Sequence, residues 1–196
     1  MRTSRRWLYA AVPGTAALFS LLLALGAAWI PIKAALAQWL IERSWETAVA
    51  GRLAAPPWPW ADTRPAALLS VPRLGVRLVV LEGASGRNLA FGPTFLDGTL
   101  GGDDRIISGH RDTHFRFLRE LRAGDRLLLG GRNKGQWFEV TNLDVVDSRT
   151  RELVIEPGVR RLSLVTCYPF DSPLAGGPLR YVVTALPLNP RSPSSG

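Results

Sequence analysis

Cysteine is nearly absent from this sequence: Cys167 is the single one in 196 residues, so no intramolecular disulfide can form. Lysine is almost as scarce. Among 24 Lys and Arg residues only Lys33 and Lys134 are lysines, and the arginines are scattered, with no long basic run. Aromatic and basic residues do not interleave, which argues against an RNA-binding sheet. No glycine pair leads into Gly-Lys-Ser/Thr, so phosphate-loop chemistry is excluded. Acidic residues do not cluster: Asp103-Asp104 and Asp144/Asp147 are too sparse for the six or more oxygen ligands of a calcium site. No metal and no cofactor are therefore expected. Histidine occurs twice, as His110 and His114, and no internal repeat is present.

Charge is missing altogether from Trp7 to Ile32. A charge-free apolar run longer than about 20 residues can cross a hydrocarbon core. Trp7, Tyr9 and Trp29 stand near its ends, where amphipathic rings favour the interface. Arg2, Arg5 and Arg6 precede it and belong on the cytoplasmic side, which exports the rest of the chain. A cleaved signal peptide is the alternative, but the run exceeds an ordinary apolar core of about 7–15 residues. The net charge of +8 fits attraction to anionic lipid. The organisation expected is a cytoplasmic stretch at 1–6, a transmembrane anchor at 7–32, a juxtamembrane helix and Pro-rich linker at 33–65, a folded domain at 66–188 and a disordered tail at 189–196. The helix is expected over Ala34–Leu53, after Pro31, as a plain spacer. Ala54-Ala55-Pro56-Pro57-Trp58-Pro59-Trp60 then breaks it.

From about Ala66 onward the chain is rich in short β signals. Leu68–Val71, Val76–Leu81, Arg105–Ser108, Asp125–Leu129, Gln136–Val146, Arg161–Thr166 and Leu179–Leu186 are Leu-rich or β-branched and are punctuated by Gly, Pro, Asn and Asp. One short helix fits at Thr113–Leu121. The fold class is mostly β, a closed barrel or a sandwich.

Three segments carry chemistry. Ile107-Ser108-Gly109-His110-Arg111-Asp112-Thr113-His114-Phe115 follows a strand, Ser163-Leu164-Val165-Thr166-Cys167 ends one, and Leu179-Arg180-Tyr181 opens one. Acyl transfer by cysteine needs a thiolate, a proton donor for the leaving amine and donors for the tetrahedral oxyanion. Cys167, His110 and Arg180 supply all three if these strand ends meet at one rim. Taken singly, each has a bland reading: a buried small hydrophobe, a solvated loop histidine, a surface ion-pair partner. An unpaired thiol in an exported domain is more often kept for its reactivity.

Together the segments resemble the sortase family. Ser163-Leu164-Val165-Thr166-Cys167 is similar to that family's Thr-Leu-x-Thr-Cys motif, with Ser163 in place of the first Thr. Gly109-His110 matches its histidine element, and Arg180 follows the cysteine at the family's distance. The resemblance runs from about Leu68 to Pro187. The Gly109–Phe115 block and Gly86-Arg87-Asn88-Leu89-Ala90-Phe91-Gly92-Pro93 look most like the class GN branch, the sortases of Gram-negative bacteria. The resemblance implies an eight-stranded barrel with one or two short helices. It implies a transpeptidase that cleaves a Leu-Pro-x-Thr-Gly-like sorting signal through a Cys167 thioester, with His110 as acid and base and Arg180 on the oxyanion or the peptide. Arg111 and Asp112 are expected to orient His110 or bind substrate, or else to form a loop-stabilising ion pair; Thr166 is expected to face the groove or fix the Cys167 backbone, and His114 to be exposed or to support the site indirectly. The implied partners are a cell-surface protein bearing the sorting signal, an amine acceptor and the inner membrane, with catalysis on its periplasmic side.

Rival acyltransferases fit less well. An L,D-transpeptidase places its cysteine just after a His-Gly pair, whereas Val165-Thr166 precede Cys167 here. A papain-like chain runs Cys before His, the reverse of this order. A non-catalytic peptide-binding barrel would have no need of all three candidates.

Overall fold

The computed structural model describes residues 4–50, 55–131, 134–151, 154–172 and 176–188. The chain divides into two compact units, Met1–Trp39 and Leu40–Gly196. A single helix, α1 (Ser4–Val49), begins in the first and ends in the second. It runs through Pro31, so the helix expected from Ala34 is continuous with the stretch before it. The expected last turn of the helix, at 51–53, and the tail at 189–196 lie outside the described residues. Among the described residues no helix is long and apolar enough to cross a membrane. The anchor at 7–32 therefore remains a reading of the sequence.

The end of α1 is more than the spacer expected. Ile41, Trp45 and Ala48, at 2%, 4% and 1% exposure, recur at helical spacing and form a buried stripe within the second unit. A cleft of about 160 Å³ between Glu42, Trp45, Glu46 and Leu68, Arg77, Val79 sets this stretch on the barrel wall. Ser44 Oγ donates to Ala55 O at 2.6 Å and ties the helix to the linker. The linker itself is pinned: Trp58 meets Phe91 edge-on at 4.9 Å, and Thr63 Oγ1 donates to Glu82 O at 2.7 Å.

The second unit contains a closed eight-stranded barrel, as the family resemblance implied. Its strands are β1 (Pro65–Val71), β2 (Val76–Leu81), β3 (Thr94–Phe95), β4 (Asp104–Ser108), β5 (Arg126–Gly130), β6 (Gly135–Asp147), β7 (Arg161–Cys167) and β8 (Leu179–Pro187). They close in the order β1-β2-β3-β4-β7-β8-β6-β5. All seven expected strands form. The eighth, β3, is too short for a periodicity to reveal, and a one-turn helix α2 (Gly86–Leu89) precedes it.

Alternation along the strands fills the interior. Leu69, Leu127, Leu162, Leu164, Val183 and Ala185 are fully enclosed there. Each enclosed Leu or Val contributes roughly 1.5–3 kcal/mol by burial alone. One end is plugged by Phe115, Phe117, Leu118 and Leu121, which belong to the same cluster. The short helix expected at Thr113–Leu121 forms as a turn followed by a 3-10 helix, Arg116–Glu120. Seating Phe115, Phe117 and Leu118 in one short plug suits the tighter 3-10 turn. Arg73 Nη2 caps its end by donating to Glu120 O at 2.6 Å, and the same side chain pairs with Asp125.

Candidate active site

Strand register brings the three chemical segments together. β4 and β7 run parallel, with Asp104 beside Arg161, Ile106 beside Ser163 and Ser108 beside Val165. His110 and Cys167 each stand two residues beyond the last of these pairs, at the same level of the same rim. β7 and β8 are antiparallel, and Cys167 is the direct partner of Arg180. Directly paired residues share a face of the sheet. One row therefore reads Cys167, Arg180, Val146, and the next Val165, Val182, Asp144. This is the outer face: Ile106, Val165 and Val182 form a second buried cluster, separate from the barrel interior.

The strand ends are bonded up to the histidine. Gly109 N donates to Val165 O at 3.1 Å, which carries the β4–β7 ladder one step further. Thr166 Oγ1, buried at 3% exposure, donates to Gly109 O at 2.7 Å. Thr166 thus holds the peptide just before His110, as well as the backbone before Cys167. Glycine is required at 109: a Cβ there would lie 2.7–2.9 Å from the Phe115 ring. Phe115 N in turn donates to His110 O at 2.9 Å. His110 itself is exposed and Cys167 half-buried.

Arg111 is the buried charge of the site, at 5% exposure. Its Nη1 donates to Pro169 O at 2.6 Å and its Nη2 to Ser172 O at 2.9 Å, across from its own loop. Nε and Nη2 also clasp the Asp112 carboxylate at 2.8 and 3.0 Å. The loop bearing His110 is thereby strapped to the loop after Cys167. The Asp112 hydrogen bond raises the Arg111 pKa above its ordinary value, burial opposes this, and a Cys167 thiolate adds to the rise. Asp112 is held below the usual carboxylate range, first by that hydrogen bond and further by the charges of Arg111 and His110. The carboxylate therefore stays ionised beside His110. His114 is half-buried; burial lowers its pKa, and the positive charge of His110 lowers it further. Thr113 Oγ1 and His114 Nδ1 are 3.2 Å apart.

Arg180 Nη1 donates to Gly177 O at 2.6 Å and to Leu179 O at 2.9 Å. Its guanidinium has three further N–H groups on Nε and Nη2. Behind the site, Tyr168, Phe170 and Tyr181 form an aromatic cluster with ring centroids 5.1–6.1 Å apart. Residue type and spacing do not single out these rings, although Tyr168 and Tyr181 flank Cys167 and Arg180. Nor do they disclose a groove on the outer face of the barrel. A cavity of about 280 Å³ lies along the same outer face, floored by Ile106, Ser163, Val182 and Thr184. Arg151, Val154 and Glu156, from the β6–β7 connection, wall it. Ser163 is four residues from Cys167 on β7, about 13 Å along a strand. Among the described residues no group of three or more His, Cys, Asp or Glu is placed to hold a metal ion.

Comparison with known proteins bears on the family and the fold. The Sortase domain family matches residues 69–188. Sortase D of Bacillus subtilis (strain 168) is 32% identical over 123 residues, which are 59% of this chain and 60% of that protein. The chain thus spans about 60% of the length of this curated relative. Among solved structures, sortase A from Corynebacterium diphtheriae superposes with a TM-score of 0.57 at 25% identity, covering 68% of this chain and 66% of that one. A Clostridium perfringens sortase D5 transpeptidase has the same fold, with a TM-score of 0.61 at 20% identity over 79% of this chain and 99% of that one.

Proposed function

The chain belongs to the sortase family, and on that premise we propose that it is a cysteine transpeptidase acting on a sorting signal of the Leu-Pro-x-Thr-Gly kind. The observation that carries this reading is the row formed by Cys167, its direct partner Arg180 and, two residues past the β4–β7 pairing, His110, on the outer face that also carries the groove.

In the proposed reaction the Cys167 thiolate attacks the Thr carbonyl carbon. The tetrahedral oxyanion is met by the Arg180 guanidinium. As the intermediate collapses, the Thr–Gly bond breaks, and imidazolium His110 gives its proton to the leaving Gly nitrogen. The product is a Cys167 thioester and a neutral His110. An amine acceptor then gives a proton to His110 and its nitrogen attacks the thioester, which releases the new amide and restores the thiolate–imidazolium pair. Arg111 supports both halves by strapping the two loops together. Asp112 and Thr166 position His110, one by charge and the other through Gly109 O. The substrate Leu, three residues before the scissile Thr, lies about 10 Å away in an extended peptide and so reaches the apolar floor of Ile106 and Val182.

The anchor at 7–32, the periplasmic placement and the assignment to the class GN branch belong to the same proposal. They rest on the uncharged run from Trp7 to Ile32, the arginines before it and the Gly109–Phe115 block. The client is a cell-surface protein with the signal near its C-terminus.

The test is mass spectrometry of the enzyme mixed with a Leu-Pro-x-Thr-Gly peptide. Wild type is expected to gain the mass of the acyl fragment at Cys167. Cys167→Ala is expected to fold, bind and gain nothing. Peptide cleavage by Cys167→Ala would refute the mechanism.

A further inference from the structure

At the end of the outer face away from Cys167, the last β4–β7 pair is Asp104 beside Arg161. Arg161 is six residues from Cys167, about 20 Å along the strand. The Asp104 carboxylate is 1% exposed and the Arg161 side chain 24%. Arg161 Nε donates to Asp104 Oδ1 at 2.9 Å and Nη2 to Oδ2 at 2.8 Å, the two parallel bonds of a planar fork. The pair does not end there. Asp104 Oδ2 also accepts from Glu156 N at 3.0 Å, and Arg161 Nη2 donates to Val154 O at 3.2 Å. Arg161 Nη1 reaches Glu156 Oε1 at 3.5 Å. Two backbone groups and one side chain of the groove wall are therefore tied to a buried ion pair on the barrel. Between the tied groups stands Ile155, and Val154 itself is 62% exposed beside the groove.

We infer that the Asp104–Arg161 pair is a positioning device for substrate recognition: it fixes the Val154–Glu156 wall and so sets affinity for the peptide upstream of the scissile bond. The inference rests on the proposed peptide-transfer reading. A buried carboxylate can hold two partners in fixed directions at once, here the guanidinium and the Glu156 amide. Its neutral isostere keeps the volume but has one acceptor oxygen in place of two: facing Arg161 Nη2 and Glu156 N it turns its NH2 onto Arg161 Nε, and flipped it turns the NH2 onto the other two. Either way a donor meets a donor, the charge-assisted fork is lost, and the hold on the wall weakens. The chemistry is about 20 Å away and its own bonds, from Thr166 to Gly109 and from Arg111 to Pro169, are untouched.

The experiment compares Asp104→Asn with wild type in steady-state cleavage of a sorting-signal peptide, alongside alkylation of Cys167 by iodoacetamide. Asp104→Asn is expected to raise KM about tenfold or more with kcat and alkylation rate within about twofold of wild type. A peptide lacking the Leu, which does not reach the wall, is expected to be cleaved equally by both. Unchanged KM in a folded Asp104→Asn overturns the inference, as does a fall in kcat alone. Should Asp104→Asn fail to fold, Glu156→Pro takes its place, since it removes the amide bonded to Asp104 and leaves the ion pair: a raised KM with kcat kept supports the inference and an unchanged KM overturns it. Failure of wild type itself to acylate would fall on the peptide-transfer reading instead, and would remove the inference with it.

Discussion

The two faces of β7 use the same seven residues for opposite purposes. Leu162 and Leu164 point into the barrel, at 0% exposure, where they pack against Val183 and Ala185 and make the strand a structural element. Ser163, Val165 and Cys167 point outward, where Ser163 lines the groove and Cys167 ends the strand on the thiol. Because the outward face is partly covered by the β6–β7 connection, the strand is a run of buried residues and not a clean alternation. The inner face is filled chiefly for volume, apart from Thr166, whose hydroxyl holds Gly109 O; the outer face needs particular atoms in particular rows. Stability and chemistry should therefore separate by face.

The largest effect is expected inside. Leu164→Ala should cost about 2–5 kcal/mol of unfolding free energy, the loss typical of a cavity in a close-packed core. Denaturant unfolding measures it, and the variant that remains folded should keep the acylation rate of wild type. A stable Leu164→Ala with poor acylation would break the comparison. Gly109→Ala lies where the faces meet, since its new Cβ would strike the Phe115 ring at 2.7 Å. It should cost about 1–3 kcal/mol, and it should also slow acylation, because the displaced segment carries His110. Arg180→Lys tests the outer face alone. A point charge does not reproduce the guanidinium fork, so a fall of about tenfold or more in kcat/KM is expected, or about 1.4 kcal/mol, with the melting temperature unchanged. Near-wild-type turnover would reduce Arg180 to a strand-end residue bonded to Gly177 and Leu179.

The smallest effect concerns His114. Its pKa lies below the ordinary value of 6.5 in the folded protein, so as pH falls the unfolded chain takes up the proton first. The unfolded state then binds more protons, and stability declines as pH drops through and below about 6.5. His114→Gln removes that contribution. Thermal melts between about pH 7 and pH 5 should show a shallower decline for the variant; parallel slopes would mean that His114 stays as accessible to protons as in the unfolded chain.

Much of the site is legible in residue order alone. The seven longer strands announce themselves by β-branched and Leu-rich runs, and His110, Cys167 and Arg180 stand at their ends in the family's order. Elements shorter than a period, β3 and α2, leave no repeat to detect. The plug at Arg116–Glu120 carries helical spacing yet forms a 3-10 turn, since its fit to the barrel end outweighs its propensity. The stretch from Ile41 to Ala48 reads as a spacer because an apolar stripe does not say what it will meet. Arg111 stands out in the sequence by its place beside His110, but its burial depends on the carbonyls of Pro169 and Ser172, 58 and 61 positions along the chain.

The sequence by itself determined the chemistry available: one thiol, two imidazoles, an arginine opening the last strand, and a fold class made of short strands. These are local properties, written in residue type and in spacing of a few positions. Only the tertiary structure decided that Cys167 faces Arg180, that Gly109 continues the ladder to Val165, and that Asp104 meets Arg161 beneath the groove wall. Those meetings are set by strand register between distant segments, and a shift of one residue would turn every side chain to the other face.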